Sequence, residues 1–240
     1  PQVWAYGERR AQSLAKAVDL LLSIQPMDKP YFDATGLKNV FVGNSALAKR
    51  FDQADPARLR AAIGAAMSDP ILLVLPGSRP SEIQRVMPAF EDAVQRLKRD
   101  RPALQVVVPA AYTVAEAVKA QVAGWPFRAH VVEDEALKDD AFVAADVALA
   151  CSGTVTTELA LAGRPMVVGY KTSAVTYAIV KRLMKPRWIT LFNIAAGKAI
   201  APELIQAACE GEGLAREVAA RLDDPKLRAR QVAEQYAALD

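Results

Sequence analysis

The sequence predicts an α/β fold, a Rossmann-like doubly wound parallel sheet. Three observations carry that expectation. Short apolar runs alternate with stretches bearing helix signals through most of the chain. Several of those runs are continuously apolar, the pattern of parallel strands covered on both faces. With 240 residues, 52% of them hydrophobic, the chain is large enough to bury such a sheet without staples.

Taken in order, the first strand is Val3–Tyr6, inside the opening PQVWAYGERR. There is no initiator Met, basic leader or apolar core of a signal peptide. A sequence that opens within a strand is expected to have been preceded by further chain. Leu20–Ile24 and Val40–Val42 then form a βαβ-like run ending at Gly43-Asn44-Ser45. The polar stretch Lys49–Asp55 places a seam near residues 43–56. Six strand candidates follow as one set: Ile71–Leu75, Gln105–Val108, Ala129–Val132, Val147–Ala150, Met166–Tyr170 and Ile189–Leu191. Asp55-Pro56 and Asp224-Pro225 each set an N-cap before a proline at the first helical position. Ser81–Gln84 and Thr113–Glu116 read as capping boxes. From Pro202 onward the chain reads as helices only, with a broken apolar stripe at Leu214, Val218, Leu222 and Leu227.

Composition narrows function. A net charge of +3 is too small to indicate nucleic-acid binding, and no basic stripe accompanies it. Two cysteines, Cys151 and Cys209, exclude a disulfide scaffold and suit a reducing compartment. One histidine leaves no basis for a His-based metal site. No apolar run reaches the ~18 residues of a membrane helix.

Ligands of open parallel sheets bind at the carboxyl ends of strands. Three stretches lie there. In Leu75–Glu82 a strand ends, Gly77 turns the chain, and Arg79 is placed to fork onto phosphate oxygens beside a helix start. An ordinary βα turn with a solvated arginine fits the same residues. In Ala150–Glu158, the small turn Ser152-Gly153-Thr154 allows close backbone approach to a pyrophosphate, and Glu158 one turn later suits ribose hydroxyls. A helix start that favours a hydroxyl and an acid fits equally. The third stretch, Leu191–Gly197 followed by Pro202–Gln206, would close a nucleotide site or form a plain loop. Cys151 and His130 read better as a buried strand thiol and an unremarkable histidine than as a nucleophile and its base. The run Lys181–Trp188 suits a surface facing anionic lipid or phosphate, or more simply a cationic helix C-terminus before Pro186.

These residues carry a resemblance. PGSRPSEI (76–83), SGTVTTELALAGRPMVVGYK (152–171), LFNIAAGKAIAPELIQ (191–206) and the opening PQVWAYGERR resemble lipid-A-disaccharide synthase along nearly the whole chain. The long second motif is specific; the four residues PGSR alone are not. The resemblance implies the C-terminal donor domain of a glycosyltransferase-B fold plus a partial N-terminal α/β piece. On it, residues 1–45 are the end of the acceptor domain, 46–210 the UDP-sugar-binding domain, and 211–240 C-terminal helices. It implies an inverting transfer that joins UDP-2,3-diacylglucosamine to 2,3-diacylglucosamine 1-phosphate in lipid A biosynthesis, with no cofactor or metal.

By match to the family's motifs, Gly77, Ser78 and Arg79 would meet the leaving diphosphate. Ser152, Gly153, Thr154 and Thr156 would cradle it, Glu158 would hold ribose, and Asn193 and Gln206 would line the donor site. The catalytic carboxylate would lie before Pro1, and this chain alone would bind nucleotide without turnover. The chain departs from the family where Gly-His-Pro is common, reading Gly43-Asn44-Ser45, and where Pro-Asn is common, reading Phe192-Asn193. The implied location is cytoplasmic, peripheral at the inner-membrane surface. Helices such as Pro225–Leu239 would pack back on the N-terminal domain or exchange between subunits, which leaves an oligomer open. Two rival functions share these features: another UDP-sugar glycosyltransferase or epimerase of the same fold, and a non-enzymatic nucleotide-binding module.

Overall fold

The computed structural model describes residues 8–24, 28–43, 45–183 and 187–239. The chain forms two compact units, Pro1–Lys49 with Ser173–Arg187, and Arg50–Thr172 with Trp188–Asp240. Ser173–Arg187 clusters with the smaller unit, and residues 211–240 cluster with the larger.

The smaller unit contains α1 (Glu8–Ala15), β1 (Leu20–Ser23), α2 (Lys29–Asp33), β2 (Lys38–Phe41) and a further helix over Ala174–Leu183. The two strands pair in parallel, Leu22 opposite Val40. Leu21 points to one face and packs with Ala11, Phe32 and Leu37. Period-two alternation sends Leu20, Leu22, Val40 and Val42 to the other face, where each is exposed. The expected strand Val3–Tyr6 lies outside the described residues.

The larger unit is built on six parallel strands: β3 (Ile71–Leu75), β4 (Gln105–Pro109), β5 (His130–Val132), β6 (Val147–Cys151), β7 (Met166–Tyr170) and β8 (Glu203–Ile205). Their order across the sheet is β5-β4-β3-β6-β7-β8. The chain starts in the middle, winds outward to β5, then returns to β6 and winds outward the other way. The reversal lies between β3 and β6, where such sheets take their ligands. Strands β3 and β6 are buried at every position, which explains their unbroken apolar sequence.

Helices cover both faces. On one side Leu72, Val74, Val106, Val108, Leu149 and Val167 meet α4 (Pro80–Asp100), α5 (Ala115–Ala123) and α10 (Gly211–Asp223). On the other, Leu73, Val107, Ala148 and Val168 meet α3 (Pro56–Ile63), α6 (Glu135–Ala144) and α7 (Thr154–Leu161). Two glycines let α4 approach its neighbours closely. A Cβ on Gly169 of β7 would stand 2.6 Å from Phe90 Cε1, and one on Gly211 would collide with the Asp92 side chain. Between α3 and α6, the fully buried Asp140 carboxylate accepts hydrogen bonds from the Arg58 guanidinium and the Asp55 N–H, so its charge is paired where water is excluded. The last helix, α11 (Pro225–Ala237), lies on its own unit. Gln231 Nε2 donates to Met166 O and Gln235 Nε2 to Arg164 O. Both bonds lie within the larger unit.

The helix starts follow their caps. Asp55 accepts from Ala57 N, and Asp224 from Lys226 N and Leu227 N. The two expected capping boxes do not form. α4 begins at Pro80 with Arg79 in the N-cap position, because proline is already shaped for a first helical position and has no N–H to cap. A short 3₁₀ turn over Tyr112–Val114 precedes α5, which starts at Ala115 without a side-chain cap.

One expected strand is absent and one unexpected strand is present, and Glu203 takes part in both changes. Ile189–Leu191 was expected to be extended; instead Leu191 opens the short helix α9 (Leu191–Ala196). The N–H groups of Ile189 and Thr190 donate to the Glu203 carboxylate, at 2.8 and 2.9 Å, rather than to a strand. Glu203 itself begins β8, paired to β7, in a region that reads as helical from sequence.

Candidate functional site

The turns after β3 and β6 leave the sheet side by side at the reversal point, since Leu75 pairs with Ala150. After β3, Gly77 adopts φ +108°, a left-handed conformation that side chains avoid. A Cβ there would also stand 3.1 Å from Glu82 Oε2 and 3.7 Å from Cys151 Cβ. Ser78 and Arg79 are exposed. Arg79 Nη1 donates to Glu82 Oε1 at 2.7 Å, and this bond is the main reason its pKa is raised. Arg79 thus stands at the mouth of the turn while Glu82 lies mostly buried beneath it, 75% against 14% exposed.

After β6, Ser152, Gly153 and Thr154 make the second turn. Gly153 is the N-cap residue of α7, in an extended conformation, with open space around it. α7 has neither a side-chain cap nor an acid in its first turn. Its first N–H groups are therefore available to an anion, and the helix dipole favours one there. Ser152 Oγ reaches Ile189 O at 3.5 Å, which brings the segment before α9 beside this turn. Thr156 is buried and donates to Gly153 O at 2.8 Å. It braces the turn from behind instead of facing into it. Glu158 is half-buried one turn into α7.

The third stretch has another part than the sequence suggests. Asn193 is fully buried, with every hydrogen-bonding group committed. Its Nδ2 donates to Ala201 O and Glu203 Oε1, and its Oδ1 accepts from Ile200 N and Ala201 N. An amide with no exposed atom lines no ligand, so Asn193 holds the 189–203 loop together. Gln206 has φ 56°. Its amide clasps the backbone of Thr172 in both directions, accepting from N at 2.7 Å and donating to O at 3.2 Å. That joins the carboxyl ends of β7 and β8. Glu203 and Glu82, which sequence reasoning passed over, are the two carboxylates that organise this edge. The signal for Glu82 was its place three residues after Arg79; Glu203 gave none.

The nucleophile alternative fails. Burial pushes the Cys151 thiol up to about 12, so it stays protonated. His130 begins β5, separated from β6 by both β4 and β3. Burial, with help from Arg128 and Lys98, moves its pKa down. Among the described residues, no three His, Cys, Asp or Glu side chains gather as metal ligands. No helix there is long and apolar enough to cross a membrane. Lys181 and Arg182 occupy the last turn of α8 (Ala174–Leu183), where a helix dipole favours cations; Met184–Pro186 lie outside the described residues.

The lipid-A-disaccharide synthetase family matches residues 1–239. The chain belongs to that family. A lipid-A-disaccharide synthase of Rhodospirillum centenum is 40% identical over 97% of this chain and 58% of its own length. One of Paramagnetospirillum magneticum is 39% identical over 100% of this chain and 62% of its own. The chain therefore spans less than two thirds of the relatives it matches. Among solved structures, Staphylococcus aureus MnaA with UDP superposes with a TM-score of 0.61 at 16% identity, covering 92% of this chain and 56% of that one. Anabaena Alr3699/HepE with UDP and glucose gives 0.57 at 16%, covering 97% and 61%. At such identities the likeness is one of fold. The α/β fold expected from sequence, a Rossmann-like parallel sheet with a smaller α/β piece, is the fold observed.

Proposed function

We propose that this chain carries the nucleotide-sugar half of a lipid-A-disaccharide synthase. The observation that carries the reading is the pairing, at the reversal point of the sheet, of an exposed arginine with an uncapped, acid-free helix start, in a chain of this family. In the proposed reaction the 6-hydroxyl of 2,3-diacylglucosamine 1-phosphate attacks the anomeric carbon of UDP-2,3-diacylglucosamine. The bond from that carbon to the diphosphate breaks as the new β-1,6 bond forms, with inversion. The hydroxyl proton goes to a base that is assigned to no residue of this chain. UDP leaves with its electron pair, so negative charge builds on the diphosphate in the transition state.

The assigned residues meet that charge. The N–H groups at the start of α7, framed by Ser152, Gly153 and Thr154, and the Arg79 guanidinium supply positive potential without reorganising. Gly77 and Ser78 keep the first turn low, and Glu158 accepts ribose hydroxyls. Thr156, Asn193 and Gln206 act from behind by fixing the turns. The two lipid substrates imply work at the cytoplasmic surface of the inner membrane, held there peripherally.

Titration calorimetry of UDP into the chain tests this, beside Arg79→Ala and Glu158→Ala. Each variant is expected to lose about 1–3 kcal/mol of binding, the scale of a charged contact. A folded wild-type chain that takes up no UDP would refute the assignment. UDP-sugar hydrolysis or epimerisation by a protein that also contains the relatives' remaining length would favour the epimerase reading over transfer.

A further inference from the structure

A carboxylate beside a phosphate site should weaken it. Glu82 stands in such a place, and its surroundings show that it is built in. It is the third residue of α4, 14% exposed, with Oε1 on Arg79 Nη1 at 2.7 Å. Its Oε2 lies in front of Gly77, 3.1 Å from where a Cβ would stand, so a side chain there would crowd it. Its charge is felt at the ends of β6 and β7, where it adds to burial in holding the Cys151 thiol and the Tyr170 phenol protonated. Arg79, by contrast, is mostly in water. Its Nε and Nη2 donate to no protein atom among the described residues.

We propose that Glu82 is the positioning residue of this anion site, holding Arg79 by one nitrogen so that the other two face the diphosphate. The proposal rests on the reading of the site as a UDP cleft. An arginine tethered in this way arrives with its fork already aimed; an untethered one must give up several free rotors on binding. Gly77 then serves the site indirectly, by making room for the tether.

The sign of one substitution separates tethering from bare repulsion. Removing a negative charge near a bound anion tightens binding; removing a tether weakens it. Calorimetry of UDP and of uridine, which lacks phosphate, is carried out on the chain and on Glu82→Ala, Glu82→Gln, Arg79→Ala and the double alanine variant. Thermal melts confirm that each is folded. Glu82→Ala is expected to lose about three- to tenfold in UDP affinity with uridine unchanged. Glu82→Gln, whose amide oxygen still accepts from Nη1, loses less, and the double variant binds UDP no worse than Arg79→Ala. Tighter or unchanged UDP binding by Glu82→Ala, losses that add in the double variant, or equal losses for uridine each overturn the proposal. If Arg79→Ala alone loses UDP, only the tether falls. If the wild type binds no UDP, the nucleotide reading falls with it.

Discussion

Two sheets in this molecule are parallel and are written in the same apolar alphabet, yet they live in different surroundings. In the six-stranded sheet, Ile71–Leu75 and Val147–Cys151 are buried residue after residue, between helices on both faces. In the two-stranded sheet, Leu21 is covered while Leu22, beside it in sequence, is 58% exposed. Parallel strands are normally shielded on both sides. An apolar run therefore reports that a strand is meant to be covered; it does not report by what. Among the described residues, the larger sheet winds both ways and so has a reversal point, the place where such sheets take ligands.

The comparison breaks most easily through paired substitutions. Leu149→Ala in β6 removes a fully buried side chain and is expected to cost about 2–5 kcal/mol. Leu22→Ala in β1 is expected to cost under about 1 kcal/mol, since little apolar area leaves or enters water. Urea unfolding of both variants measures this; equal losses would mean that the bare face is covered in solution.

The titration of the large sheet sharpens the contrast. The Cys151 thiol is raised to about 12 in the fold, so the native state holds its proton longer than the unfolded chain does. Its contribution to stability is complete below about pH 8.5, the ordinary thiol value, and is lost as pH rises toward 12. Cys151→Ala is expected to flatten the alkaline limb of a stability–pH curve. His130 gives a smaller effect of the opposite sense. Its pKa is lowered in the fold, so its contribution is present above about 6.5 and is lost as pH falls below that value. His130→Gln should reduce the acid-side slope.

Most of the architecture was legible because continuous apolar runs fix buried strands and Asp-Pro fixes helix starts. Ile71–Leu75 and Met166–Tyr170 match their strands residue for residue. What sequence could not show is long-range polar accounting. Glu203 reads as a helical acid, but its backbone starts β8 beside β7 and its carboxylate answers the N–H groups of residues 189 and 190, where a strand was expected. The candidate site divides in the same way. Its turns follow from glycine and from their place after strands. The inward roles of Thr156, Asn193 and Gln206 depend on partners far along the chain or on burial, which residue type alone does not encode.

The notch at Gly169 has a reach beyond its own strand. Phe90 enters it, and α4 packs there against the sheet. Arg79 begins that same helix, about 16 Å up its axis at 1.5 Å per residue. A missing methyl group in the middle of a buried strand thus lets the helix that follows Arg79 lie against the sheet. Gly169 has no functional group at all, and it still decides how near that helix can come.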